Sequence, residues 1–183
     1  MVKTPLAEIV VKLESGSRPK GGASNDTGNV PSLGAEHLDN NGGFKFDNNK
    51  FITDKYFSEL TSGVIHRNDI LIVKDGATTG KTSFVDESFP FKKAAINEHV
   101  FRVCINVKKA YPRYVFYFLK SPFGQIQIKK DLRGATVGGI SRRFVELAKI
   151  PIPKNYDDQI RIATLLSRAE ALIAKRKESI RLL

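Results

Sequence analysis

With 183 residues, 41% of them hydrophobic and 12 of them Phe, the chain has room for one domain of about 150 residues with a real core, plus an appendage. No apolar run approaches the ~18 residues of a membrane helix, and Met1-Val2-Lys3-Thr4-Pro5 begins no signal peptide, so a soluble cytoplasmic protein is expected. The single cysteine, Cys104, excludes a disulfide or a zinc cluster within one chain and reads as a small buried hydrophobe.

Leu6 to Leu13 is a short apolar segment compatible with helix or strand, and residues 15–29 form a turn-rich loop with little to bury. Val30 to Gly34 reads as a short strand, Asp39 to Gly43 as a turn and Asp54 to Leu60 as a helical turn. Asp69 to Lys74 is a buried strand, with Thr82 to Val85 as its partner beyond a Gly-bearing connection. Ala94 to Ile96 and His99 to Ile105 continue the strands. Tyr111 to Lys120, aromatic on nearly every side, is read as a buried helix with Pro112 at its first position. A second helix is expected from Phe123 to Leu132, then a glycine-rich loop over residues 133–141, with Ser141 capping a short helix through Leu147. The expected class is a mixed α/β (α+β) domain of many short strands over residues 1–154, followed by one long coiled-coil-type helix over residues 155–183.

That helix carries the clearest pattern. Ile162, Leu166, Ala169, Ile173, Arg176, Ile180 and Leu183 recur at alternating spacings of four and three, a heptad seam broken only by Arg176. Leu165 and Leu172 widen the stripe. Asn155 is placed to cap the start, Asp157 and Asp158 sit in the first turn, and Lys175, Arg176, Lys177 and Arg181 load the end, as the helix dipole favours. The rod would reach ~40 Å at 1.5 Å per residue. It reads as a spacer or docking arm that packs antiparallel on another helix; the alternative is that it folds back on its own domain.

The net charge of +11 is unevenly placed: residues 1–91 sum to −2, residues 92–154 to +11 and residues 155–183 to +2. A basic excess confined to one segment implies one positive surface, and nucleic acid is the polyanion it fits best. No basic amphipathic segment stands apart from the core as a membrane anchor would.

Catalytic patterns are missing. Asp75-Gly76-Ala77-Thr78-Thr79-Gly80-Lys81-Thr82 resembles a phosphate-binding loop, but the position needing the first Gly is Asp75, and strand rather than helix follows. His37, His66 and His99 lie in separate contexts without metal-ligand spacing, and read as structural or surface residues. No Gly-x-Ser-x-Gly elbow, amino-methyltransferase motif or nuclease acid cluster is found. The residues suited to touching DNA lie in three loops: Arg18 and Lys20; Lys74, Thr78, Thr79 and Lys81; and Arg133, Thr136, Ser141, Arg142 and Arg143. Arg and Lys can pair with phosphates or guanine edges, Ser and Thr can serve either, and glycine lets backbone amides come close.

In order, Ser15-Gly16-Ser17-Arg18-Pro19, Val30-Pro31-Ser32-Leu33, Asn68-Asp69-Ile70-Leu71-Ile72 with Asp75-Gly76 and Gly80-Lys81, and Asn97-Glu98-His99-Val100 resemble a half of a type I restriction–modification specificity subunit. Tyr114 to Ser121, Gly134-Ala135-Thr136 and Ile140-Ser141 continue the likeness. The most specific block is Ile150-Pro151-Ile152-Pro153, Gln159 to Ala163, Ala169 to Ile173 and Lys175 to Ile180. The resemblance implies a DNA-binding subunit that has no active site, reads one half of a bipartite site, and docks adenine-N6 methyltransferase and restriction subunits. S-adenosylmethionine, ATP and Mg would sit on those partners, with no cofactor on this chain. Full subunits carry two recognition domains and two spacer helices. One of each here implies a half-size subunit that homodimerises through its helix or an N-terminal fragment whose second half supplies the partner helix, and the stop within a heptad pattern favours the fragment. The rival readings are a recognition module from a fused restriction–modification enzyme, a non-catalytic protein binding RNA or an acidic partner, and an independent enzyme, against which the missing catalytic patterns argue.

Overall fold

The computed structural model describes residues 2–24, 28–134 and 138–182. Thr136 and Leu183 therefore lie outside the described residues. The central sheet has four strands in the order β2 (Val10–Ser15), β8 (Val100–Ile105), β5 (Ile70–Val73) and β6 (Thr82–Phe84), all antiparallel. A second sheet of three short strands places β3 (Val30–Leu33) between β4 (Phe51–Ile52), antiparallel, and β7 (Ala95–Ile96), parallel. A third ribbon pairs β1 (Val2–Pro5) with β9 (Lys149–Ile152), joining the two ends of the domain.

Strand β5 shows why an unbroken apolar run appears in the sequence. Ile70 and Ile72 enter one core with Phe101 and Val103, while Leu71 and Val73 enter a second with Leu33, Ile96 and Val100. Both faces are covered, so alternation with polar residues is lost. The first core is closed by α2 (Pro112–Lys120), which buries Tyr114, Val115, Phe116, Tyr117 and Leu119. On the second face Arg102 is 6% exposed and lies between Asp69 (Nε to Oδ2, 2.5 Å) and Glu14 (Nη1 to Oε2, 2.6 Å).

The helix expected over Phe123 to Leu132 is divided. Ser121 caps α3 (Pro122–Ile128), accepting from the Gly124 amide at 3.2 Å, and a 3-10 turn over Lys129–Asp131 follows. The ambiguous segment Leu6 to Leu13 is likewise split between a 3-10 turn (Leu6–Glu8) and β2. The Asp54 turn is α1 (Asp54–Ser58), and the short helix before β9 is α4 (Phe144–Leu147). Arg143, not Ser141, holds the N-cap position of α4; the Ser141 hydroxyl instead accepts from the Arg143 amide at 3.2 Å.

The terminal helix α5 (Tyr156–Arg181) is capped by Asn155, whose side chain accepts from the Asp157 amide. Its first half rests on the domain. Gln159 accepts from the Tyr111 amide at 2.8 Å and donates to the Pro153 carbonyl at 3.0 Å, and Ala163 is fully buried. Further along, Tyr117 hydrogen-bonds Ser167 and Glu170, and Lys120 pairs with Glu170. Beyond this point every described helix residue is exposed. A cleft of ≈ 920 Å³, with Phe46 and Phe89 on one wall and Ile173 and Lys177 on the other, lies between the distal half and the domain.

The face that docks on the domain is rotated from the heptad seam by one residue. Ile162 packs against the core edge, but Leu166, Ala169, Ile173 and Ile180 remain exposed, as do Leu165 and Leu172 at 64% each. Fold-back thus covers the start of the helix and leaves its apolar stripe open. Among the described residues no helix is long and apolar enough to cross a membrane.

Candidate nucleic-acid interface

Three segments far apart in sequence meet beside the end of the central sheet. The loop after β2 is anchored at Gly16, where an added Cβ would lie 1.7 Å from the Ile96 carbonyl oxygen, so only glycine permits that approach. The connection between β5 and β6 is a tight turn, with Gly76 at φ +97° and the Gly80 amide donating to the Val73 carbonyl. The glycine-rich loop before α4 lies against that turn. The Gly76 amide donates to Gly138 O at 3.1 Å and the Ile140 amide to Lys74 O at 2.7 Å, while Thr79 Oγ1 lies 2.7 Å from Gly76 O and 2.8 Å from Gly138 O.

The glycine-rich loop is held shut by Asp131, which is 4% exposed. Its Oδ2 accepts from the Ser141 amide and hydroxyl, both at 2.6 Å, and its Oδ1 from Arg133 Nη2 at 2.9 Å. Burial works to raise this carboxyl, but the Ser141 donors and Arg133 outweigh it and hold it below the usual value. Arg133 and Gly139 also exchange backbone bonds, 2.9 Å each way, which tie the two described ends of the loop together.

Side chains join the first loop to the second. Arg18 Nη2 lies 2.5 Å from Glu98 Oε1, His99 Nε2 lies 3.5 Å from that same oxygen, and His99 Nδ1 lies 2.5 Å from Asp75 Oδ1. Lys74 Nζ is 3.8 Å from Asp75 Oδ2 and 5.7 Å from the centre of the Phe101 ring. Arg142 Nη1 donates to the Leu13 carbonyl at 2.6 Å, tying the third loop to the strand that leads into the first.

The expected site residues are thus placed unequally. Arg18, Lys74, Thr79, Arg133, Ser141 and Arg142 belong to one connected group. Lys20, Thr78 and Arg143 are exposed on the same loops or their flank, and Thr136 lies outside the described residues. The hydroxyls of Thr79 and Ser141 are engaged in holding the loops together. Lys81 is set apart: strand alternation turns it to the face opposite Lys74, where burial and Lys45 lower its ammonium against the pull of Asp39 and Glu36. Of the histidines, His37 is buried, with Nδ1 accepting from the Gly34 amide and Nε2 near Asn48 O, and His66 lies beside Asp69 at the surface.

Four organisers carry no signal in residue type alone: Asp75, Glu98, His99 and Asp131. Asp75-Gly76 and Asn97-Glu98-His99 were visible as a pattern, but the contacts that join the loops, His99 to Asp75 and Arg18 to Glu98, link distant residues and depend on loop pairing. Among the described residues no group of His, Cys, Asp and Glu is arranged to hold a metal ion.

The structure is thus a mixed α/β domain with basic loops gathered on one face and a helical rod leaving it. The chain belongs to the family described as Type I restriction modification DNA specificity domain, which it matches over residues 2–182. Its fold is similar to the type I restriction–modification S subunit of M. genitalium, with 18% identity and a TM-score of 0.67 over 99% of this chain and 42% of that one. It is similar too to the HsdS subunit of Thermoanaerobacter tengcongensis, with 19% identity and a TM-score of 0.67 over 99% and 44%. A chain from a structure of type I R-M complex assembly and conformational transition gives 16% identity and a TM-score of 0.71 over 97% and 40%. This chain spans less than half the length of each. No curated protein sequence matches it.

Proposed function

We propose that this chain is a non-catalytic specificity module that binds double-stranded DNA through its three converging loops and reads one half of a bipartite site. The observation that carries this reading is the connected loop face in a chain of the DNA specificity family. Arg18, Lys74, Arg133 and Arg142, from three loops far apart in sequence, are brought there with Lys20 and Arg143 alongside. Such a face supplies phosphate neutralisation, while the loops provide side chains at the reach of base edges. Methylation and cleavage would belong to methyltransferase and restriction subunits that dock on it, with S-adenosylmethionine, ATP and Mg bound there.

The exposed stripe of α5 is the second element of the proposal. It would pack antiparallel on the helix of a second copy or of a second recognition half, related by a two-fold axis. A ~40 Å rod spaces two recognition domains by roughly one turn of DNA, ~34–36 Å. Electrophoretic shift with duplex DNA, single-stranded RNA and duplexes carrying altered bases tests the reading. Selective retardation of one duplex supports it; equal binding to RNA and to every duplex would replace it with a general polyanion binder.

A further inference from the structure

His99 is the hub of the loop face. It sits in a tight turn in which its own amide donates to Asn97 Oδ1 at 2.9 Å, with Asn97 92% shielded and its amide bonded to Leu33 O. The imidazole therefore projects from a fixed base. One ring nitrogen meets Asp75, whose backbone bridges the second and third loops; the other faces Glu98, which grips Arg18 of the first. Glu98 Oε2 is shut away from solvent without a hydrogen-bond partner, so Oε1 is the oxygen that both Arg18 and His99 address. Both carboxylates stand about one-third exposed on the basic face, where they would repel phosphates unless matched by nearby cations and donors.

From this geometry we infer that His99 is a positioning residue for sequence discrimination: through Glu98 it aims Arg18, and through Asp75 it fixes where the second and third loops stand relative to that arginine. The inference rests on the DNA-binding reading above. A free arginine must lose much rotamer freedom to make a two-pronged contact with a guanine edge; one already held at Nη2 has less to lose. The guanidinium carries five N–H donors. Gripping Glu98 at 2.5 Å with one nitrogen leaves the others for DNA. His99 itself touches no base in this scheme.

The experiment uses the whole chain and a duplex library with a randomised central window. The sequence enriched by the unaltered protein is then compared, as a single duplex, with a scrambled one. His99→Phe keeps a ring but removes both nitrogen contacts. It should lower the ratio of selected to scrambled affinity about tenfold, within the range one well-aimed base contact supplies. The loss should fall at the same base pair as in Arg18→Ala, and the double variant should be no worse there than Arg18→Ala alone within about twofold. His99→Gln, which keeps an N–H donor, should recover part of the ratio. An unchanged ratio in His99→Phe, additive losses in the double variant, or a drop equal for both duplexes would overturn the positioning role. If the unaltered chain enriches no sequence, the DNA-reading proposal fails first and takes this one with it.

Discussion

Replacing Asp131 with Ala would open the glycine-rich loop at its root. The wild-type carboxylate accepts three hydrogen bonds, two at 2.6 Å from Ser141 and one at 2.9 Å from Arg133. Bonds to a charged group contribute about 1.5–3 kcal/mol each. The sum overstates the loss. The Arg133 side chain is 57% exposed and can return to water, so its share is discounted. The Ser141 hydroxyl can also find water, whereas its amide loses a buried acceptor. A destabilisation of about 3 kcal/mol is expected, which lowers the melting temperature by about 6–12 °C for a chain of this size. Differential scanning calorimetry measures the first effect. Hydrogen exchange measures the second, because the amides of Ser141 and Gly139 should lose protection before the central strands do. Duplex selectivity should fall while attraction to any DNA persists, since a negative charge has been removed beside Arg133. A melting point within about 1 °C of wild type, with the Ser141 amide still protected, would refute the view that Asp131 holds this loop.

Changing Leu166 and Ile173 together to Glu should abolish self-association in sedimentation without altering the circular dichroism of the α/β domain; a monomeric wild type at high concentration would remove self-pairing from the account. Replacing Arg133, Arg142 and Arg143 with Ala should weaken duplex binding and lower its salt slope by about one unit per lost phosphate contact, and an unchanged slope would take this loop flank out of the interface. Acid should destabilise the fold. Burial raises the carboxyls of Glu14, Asp86 and Asp131, but their donors outweigh it and hold them below their usual values. The stability they add is present above the unfolded carboxylate values, about pH 4, and is lost as pH falls through the folded ones. Asp69, which burial pushes up despite Arg102, acts in the opposite sense and blunts this loss. Thermal melts that strengthen steadily below about pH 4 would contradict the assignment. Purified chain should transfer no methyl group from S-adenosylmethionine to DNA, and methylation by a preparation proven free of methyltransferase would sink the non-catalytic reading.

Elements whose signals are local were legible in the sequence. Strand β5 announces itself because both faces are buried, α2 because Pro112 fits the first helical position, and α5 because Asn155 caps a long periodic run. The ribbon of β1 and β9 was not: each strand has four residues and one of them is Pro, which supplies no ladder donor and suits only an edge. Its pairing spans nearly the whole domain. The candidate site divides the same way. Arg18, Lys74 and Arg133 stood out as basic residues beside glycine-rich loops. The separation of Lys74 from Lys81 needed the hairpin register, and the roles of Asp75, Glu98 and His99 needed the tertiary approach of loops that no local pattern encodes; Asp131 acts within its own loop, on Arg133 and Ser141, but residue type alone did not mark it. Along α5, the heptad seam showed an apolar stripe but not that the domain would take the neighbouring face, through Gln159, Ala163 and Ser167.

In the proposed function this chain selects a DNA sequence for partner enzymes that modify it. Methylome mapping of cells carrying the complete system, with this subunit present, deleted or exchanged for a relative with different loops, tests that most directly. Adenine methylation at a bipartite motif should disappear on deletion, and exchange should rewrite one half of the motif while sparing the other. A motif unchanged by both manipulations would contradict it.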